Sequence, residues 1–180
     1  MLILSLWGGF EYQHAQKIEQ AKLFYAASRS LDNSQLSLKE RHQKALTGLQ
    51  HFLESEENSA LGSAAKFYLA RVHADSGRFT DAKSLYEEVL SQELSSEMIK
   101  NVARISLVSL LEQEQDWQGA QHMLNFLGKD RWEDLQLFTQ ARIAKHEGDD
   151  DAAKTHLNNL LKQSPDSVYR QTVETKMLLP

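Results

Sequence analysis

Alanines recur along this sequence at a nearly constant interval, each inside an amphipathic stretch. Ala45, Ala82, Ala120 and Ala153 are separated by 37, 38 and 33 residues. Leucines or other large apolar residues follow each alanine at helical spacing. A pattern that returns at this interval is typical of repeat proteins, in which neighbouring copies of one supersecondary unit bury apolar faces that a single copy cannot bury.

The repeated unit is clearest between residues 63 and 94. Two runs with helical apolar spacing flank Gly77, and glycine is the residue that best tolerates the left-handed backbone at a helix end. Ala70 and Ala82 are small, which allows two helix backbones to approach closely, and Phe79 and Tyr86 can fill the space beside them. The unit is therefore predicted to be a hairpin of two antiparallel helices.

Across residues 16–165 the sequence resembles the tetratricopeptide repeat family, whose repeat is about 34 residues long. Residues 63–94 match best, with Gly77, Phe79 and Ala82 at family positions. The next repeat has Gln115 in place of the turn glycine, and the last has Asp150 at the aromatic position. The resemblance implies an all-α fold, a right-handed superhelical array of antiparallel helix hairpins with a C-terminal capping helix.

The pattern predicts helices along the whole chain, with no linker between them. Ser37 and Glu40 have the spacing of a capping box, and Ser164 with Pro165 is expected to start the terminal helix. We interpret residues 1–12 as an apolar N-terminal segment and residues 13–180 as one repeat domain. The expected helices lie near residues 10–31, 37–55, 61–76, 79–92, 95–115, 117–127, 132–147, 150–163 and 166–177.

The first ten residues, MLILSLWGGF, are apolar and uncharged. They are shorter than the roughly 20 residues that span a bilayer, and they lack the basic start and cleavage site of a signal peptide. Two interpretations stay open. The segment is the end of a membrane anchor with Trp7 and Tyr12 at the interface, or it is an apolar helix start that packs on the first repeat.

The order of parts is similar to a group of bacterial proteins that join an inner-membrane anchor to a periplasmic tetratricopeptide repeat domain. Members of that group are ancillary subunits of the Sec translocon. The resemblance implies a place on the periplasmic side of the inner membrane, and the Sec translocon or a periplasmic chaperone as partner. A cytoplasmic location is the alternative.

Composition and motifs argue against catalysis. The chain has no cysteine, and its formal charge of −5 disfavours nucleic acid as a partner. The histidines lack the spacing of a helical metal site, and the acidic run at 149–151 lacks the ligand pattern of a calcium loop. We therefore expect a protein that is not an enzyme and that needs no cofactor or metal.

Recognition of a protein or peptide segment is the predicted function, on the concave face that the first helices of the hairpins line. Apolar residues at matching positions would form a stripe, or alternatively pack between neighbouring repeats. A carboxylate clamp is disfavoured, because its paired lysine and asparagine are absent. A self-assembling structural subunit, for example a homodimer, is the alternative function. The candidate partner-binding residues are Phe67, Arg71, Asp75, Ile105, Ser109, Glu112, Phe138, Arg142 and Lys145.

Overall fold

The computed structural model describes the backbone of residues 2–178 and the side chains of residues 14–128 and 132–175. In that part of the chain all regular structure is helical and no strand is present, which confirms the all-α prediction. The chain divides into two compact units, Met1–Ala103 and Arg104–Pro180. The separation of residues 1–12 from residues 13–180 stays a prediction.

The first unit is built from a long helix, a short 3-10 helix, three further helices and the start of a fourth. Helix α1 begins at Leu2, eight residues before the predicted start near residue 10, and a short 3-10 helix follows it. Side chains 14–19 of α1 are all exposed, and Gln20 is the first one that is half-buried. The elements are α1 (Leu2–Ser28), the 3-10 helix (Arg29–Asp32), α2 (Leu38–Glu56), α3 (Ala60–Asp75), α4 (Phe79–Ser91) and the start of α5 (Glu97–Gln113).

The second unit contains the rest of α5 and four further helices. These are α6 (Trp117–Leu124), α7 (Lys129–His146), α8 (Asp150–Gln163) and α9 (Arg170–Leu178). The start of α9 differs from the prediction that Ser164 and Pro165 begin it. A turn intervenes, in which the backbone N–H of Ser167 donates to the carbonyl of Ser164 at 3.0 Å. The Ser167 hydroxyl then accepts from the N–H of Tyr169 at 3.1 Å.

The alanine register places small residues at buried helix contacts, as predicted. Ala45, Ala82 and Ala120 have no exposed surface, and Ala153 is 5% exposed. In the first unit, Ala45 packs in a core with buried residues of α1, α2 and α3 that include Leu49. In the second unit, Ala120 lies in a core formed by buried residues of α5, α6 and α7. The period of the sequence is therefore the period of helix packing.

Three hairpin turns share one backbone geometry. Arg78, Asp116 and Asp149 each donate a backbone N–H to the carbonyl five residues earlier, at 2.8–2.9 Å. The residue before each of these donors has a positive φ: 75° at Gly77, 82° at Gly148 and 62° at Gln115. This is the hydrogen-bond pattern of a Schellman motif. Gln115 therefore adopts the left-handed backbone conformation that glycine adopts in the other two hairpin turns.

Side chains cap the helices where the sequence indicated. The Ser37 hydroxyl accepts the backbone N–H of Glu40, and the Glu40 carboxylate accepts the N–H of Ser37 at 2.9 Å, so the predicted capping box is confirmed. At the acidic run, Asp149 accepts the N–H of Ala152 at 2.8 Å and caps α8. Carboxylates at this position are also favoured by the helix dipole.

Candidate functional site

Three of the predicted residues lie on α3 in the first unit. Phe67, Arg71 and Asp75 are four residues apart and therefore share one face of the helix. Phe67 is half-buried, and its ring centroid lies 5.7 Å from those of Tyr68 and Tyr86. Arg71 and Asp75 are exposed. Phe67 thus takes part in intramolecular packing, whereas the two charged residues face outward.

Arg71 and Asp75 line a cleft of about 230 Å³ within the first unit, which we call the Arg71 cleft. Consecutive helices α2 and α3 are antiparallel, so the first turn of α2 lies beside the last turn of α3. The capping box at Ser37 fixes where α2 begins, and Leu31 and Asp32 of the 3-10 helix also line the cleft. Its lining residues are Ser28, Leu31, Asp32, Leu38, Arg41, His42, Tyr68, Arg71, Val72 and Asp75.

Some charged groups of the Arg71 cleft contact other side chains or carbonyls of the cleft, and others do not. His42 Nε2 lies 3.6 Å from the Asp75 carboxylate. Arg41 donates one N–H to the carbonyl of Leu31 at 3.4 Å, while its buried Nε has no hydrogen-bond partner. Arg71 makes no hydrogen bond or ion pair with any residue that the structure describes. Neither arginine of the cleft is paired with a carboxylate of the described residues.

A larger concavity of about 540 Å³ lies next to the Arg71 cleft and shares Asp32 with it. Its lining contains none of the predicted partner-binding residues, whereas Arg71 and Asp75 line the smaller cleft, so we take the smaller cleft as the candidate site. The other lining residues are Tyr25, Ala26, Arg29, Ser30, Asn33, Leu36 and Lys44.

In the second unit, Glu112 and Arg142 are brought together. The Arg142 guanidinium forms an ion pair with Glu112, with Nη2 and Oε2 2.9 Å apart; the Arg142 side chain is half exposed, while Glu112 is only 7% exposed. Burial raises the pKa of Glu112, and the positive charge of Arg142 acts in the opposite direction. The other carboxylate oxygen, Oε1, is buried without a partner. Arg142 therefore neutralises a buried charge of its own chain.

The remaining predicted residues of the second unit also have intramolecular contacts. The ring of Phe138 stacks on Tyr169 with centroids 4.5 Å apart. Lys145 pairs with Asp150 at 2.7 Å. The Ser109 hydroxyl donates to the carbonyl of Ile105 at 3.3 Å, and the Ile105 side chain packs against the core of this unit. Partner binding by these residues stays a prediction.

Several lining residues of the cleft were not predicted from the sequence. Leu31, Leu38, Arg41 and His42 belong to the 3-10 helix and the start of α2, outside the helices expected to bind a partner. One sequence signal points to them: the stretch LDNSQLSLKE lengthens the first hairpin turn beyond the repeat pattern. Extra residues at that turn form the wall opposite α3.

In the part of the chain that the structure describes, no group of three histidine, aspartate or glutamate side chains is placed to hold a metal ion.

Among the described helices, none combines the length and the apolar character needed to cross a membrane.

The comparisons with known proteins agree with this architecture. The family described as Tetratricopeptide repeat-like domain matches residues 1–177, and the chain belongs to this family. The solved structure of PilF from Pseudomonas aeruginosa is similar, with a TM-score of 0.56 and 18% sequence identity. The match covers 77% of this chain and 60% of the PilF chain, and at that identity it shows the fold alone. No curated protein matches the chain in sequence.

Proposed function

We propose that this protein is a non-catalytic scaffold that binds a segment of another protein at the Arg71 cleft. Tetratricopeptide repeat folds typically serve protein–protein interaction, and repeat arrays use their grooves for that purpose. The observation that carries the proposal is the cleft itself, which combines apolar walls with an exposed arginine that has no partner among the described residues. Arg142 is a weaker candidate, because it is already paired with Glu112.

Photo-crosslinking in cells of the native host tests the proposal. Leu38 lies in the cleft and is 57% exposed, whereas Leu94 belongs to the same unit, is 62% exposed and does not line the cleft. A benzophenone amino acid at position 38 should give a discrete protein adduct, which mass spectrometry identifies. The same group at position 94 is the matched control. Identical adducts at both positions, or none at position 38, would contradict binding at the cleft.

We further propose that the protein acts at the periplasmic side of the bacterial inner membrane, where it assists protein translocation or recruits chaperones. The support is the uncharged apolar run at residues 1–10 and the similarity in the order of parts described above. Protease accessibility in spheroplasts distinguishes this location from the cytoplasm. Adducts at position 38 that contain a translocon subunit or a periplasmic chaperone would support the more specific function.

The role of the N-terminal segment has its own test. If residues 2–10 belong to an anchor, their deletion should leave the thermal melting temperature unchanged. If they pack on the repeats, the loss of buried apolar surface should destabilise the fold, at about 25 cal/mol per Å². We expect the first result, measured by circular dichroism on full-length and shortened chains in the same detergent.

Self-assembly is the alternative function, and exposed apolar side chains of α1 favour it. Ile18 is 45% exposed, Leu23 is 48% exposed and Tyr25 is 67% exposed. If two copies pair through this helix, replacing Ile18 and Tyr25 by serine should convert a dimer into a monomer in analytical ultracentrifugation. A monomeric wild-type chain at micromolar concentration would exclude this alternative.

A further inference from the structure

We propose that the Arg71 cleft takes one apolar side chain together with a carboxylate. Its partner would then be an acidic segment in which a leucine or aromatic residue lies beside an aspartate or glutamate. This inference rests on the proposed function, because it names the chemistry of the segment that the same cleft binds.

The size of the cleft fits a single side chain. Pockets that enclose drug-sized molecules measure about 300–1,000 Å³, whereas this cleft measures about 230 Å³. Its apolar surface comes from Leu31, Leu38, Tyr68 and Val72. Leu38 is 57% exposed, so part of this wall is in contact with solvent in the free protein. An apolar side chain from a partner would remove that surface from water.

The charges of the cleft favour a carboxylate beside that side chain. Formally, Arg41 and Arg71 are balanced by Asp32 and Asp75. Asp75 is engaged with His42, however, and neither arginine is paired with a carboxylate of the described residues. An incoming carboxylate could accept charge-assisted, bidentate hydrogen bonds from a guanidinium, for which arginine is better suited than lysine.

Arg41 adds a second positive charge at the wall of the cleft. Its Nε is buried and one of its terminal N–H groups donates to the carbonyl of Leu31, so what it offers a bound carboxylate is mainly its charge. An ammonium group would instead lie beside two arginines, and one of the two carboxylates that could accept from it, Asp75, already contacts His42.

NMR titration of the full-length chain with small probes tests this chemistry. The probe is 4-phenylbutyrate, and its neutral amide and its amine, 4-phenylbutylamine, are the matched comparisons. We expect 4-phenylbutyrate to shift backbone amides at residues 31, 38–42 and 68–75, and to bind at least tenfold more tightly than either comparison compound. Equal binding of the three probes, tighter binding of the amine, or shifts confined to other residues would overturn the proposal.

Variants of Arg71 separate charge from shape. Arg71→Gln should weaken 4-phenylbutyrate binding at least fivefold, and Arg71→Lys should give an intermediate loss. Arg29→Gln is the control, because Arg29 lines only the neighbouring concavity. Unchanged binding by Arg71→Gln would refute the role of the arginine. Arg71 has no partner among the described residues, so we expect the variants to melt like the wild type.

The two proposals fail in different ways. If the cleft binds a protein segment of another chemistry, the adduct at position 38 persists in the Arg71→Gln variant and the probe preference is absent. If the cleft binds no protein, position 38 gives no specific adduct, whatever the small probes do. Loss of the adduct in Arg71→Gln, but not in Arg29→Gln, is the result expected when both proposals hold.

Discussion

Replacing Arg142 by glutamine should destabilise the second unit in a manner that depends on pH. Arg142 is the cation beside the buried carboxylate of Glu112, at 2.9 Å. Without it, Glu112 either stays charged in a buried site or takes up a proton. The free energy of protonating Glu112 sets the upper limit of the stability loss, because the folded variant can always bind this proton instead of keeping an unpaired charge. Breaking a buried pair from one side commonly costs about 3–5 kcal/mol.

The limit follows from the ordinary carboxyl pKa of 4.5 for this group in the unfolded chain. Each pH unit above that value adds about 1.4 kcal/mol to the cost of holding the carboxyl neutral. The loss on Arg142→Gln is therefore at most about 3.5 kcal/mol at pH 7 and about 0.7 kcal/mol at pH 5. Burial raises the pKa of Glu112 in the folded wild type, so stability falls as the pH rises from 4.5 through the folded pKa. The variant should show a steeper fall.

Urea unfolding at pH 5 and pH 7 measures these losses. Glu112→Gln in the Arg142→Gln background should reduce the loss at pH 7 and remove its pH dependence. Lys145→Gln is the control, since Lys145 and Asp150 form a surface pair with side chains 71% and 58% exposed, and such pairs contribute at most about 1 kcal/mol. Equal losses at pH 5 and pH 7 for Arg142→Gln would show that packing, and not charge, is what the arginine provides.

Three further substitutions test the local geometry by thermal and urea unfolding. Gln115→Gly should stabilise the fold by about 0.5–1 kcal/mol, because a φ of 62° disfavours side chains, whereas Gln50→Gly within α2 should cost about 1 kcal/mol. A destabilised Gln115→Gly would mean that the side chain contributes more than the turn costs. Ala82→Leu should overpack the α3–α4 hairpin and cost about 1–3 kcal/mol, and an unchanged melting temperature would argue against the close approach of these helices. Ser37→Ala should cost about 1 kcal/mol through loss of the capping box. That cost should be smaller but still present in a Glu40→Ala background, because the Ser37 hydroxyl loses its bond to the Glu40 carboxylate but keeps the backbone N–H of residue 40. Full additivity would contradict coupling between the two side chains.

Much of the fold could be predicted because its determinants are local or periodic. Helix α8 begins at Asp150 and ends at Gln163, as predicted, since a glycine with positive φ and a capping aspartate precede it. The start of α9 was wrong because Ser167 forms a side-chain bond to the backbone, which competes with helix initiation at Pro165. The sequence alone does not show which of these two hydrogen-bond arrangements is the more stable.

The candidate site could be predicted only in part, for a different reason. Arg71 and Asp75 follow from the repeat offset, because residues at matching offsets occupy matching positions on the hairpins. Arg41 and His42 do not, since the 3-10 helix and the long first turn that bring them to the cleft are departures from the repeat. The pairing of Arg142 with Glu112 was also missed. This pairing is a contact between side chains of two different helices, and the spacing of residues within one helix does not predict such contacts.

An insertion into the exposed stretch of α1 at residues 14–19 would change a distance and a rotation angle at the same time. A straight helix rises about 1.5 Å and turns about 100° with each residue. One residue inserted there would therefore reorient whatever is joined to the N-terminal end of α1 by more than a quarter turn relative to the first unit. Seven inserted residues would nearly restore the original angle while adding about 10 Å of separation. Insertions of one, four and seven residues thus distinguish a function that requires a fixed rotation angle between the N-terminal end of α1 and the first unit from one that requires only a fixed distance between them.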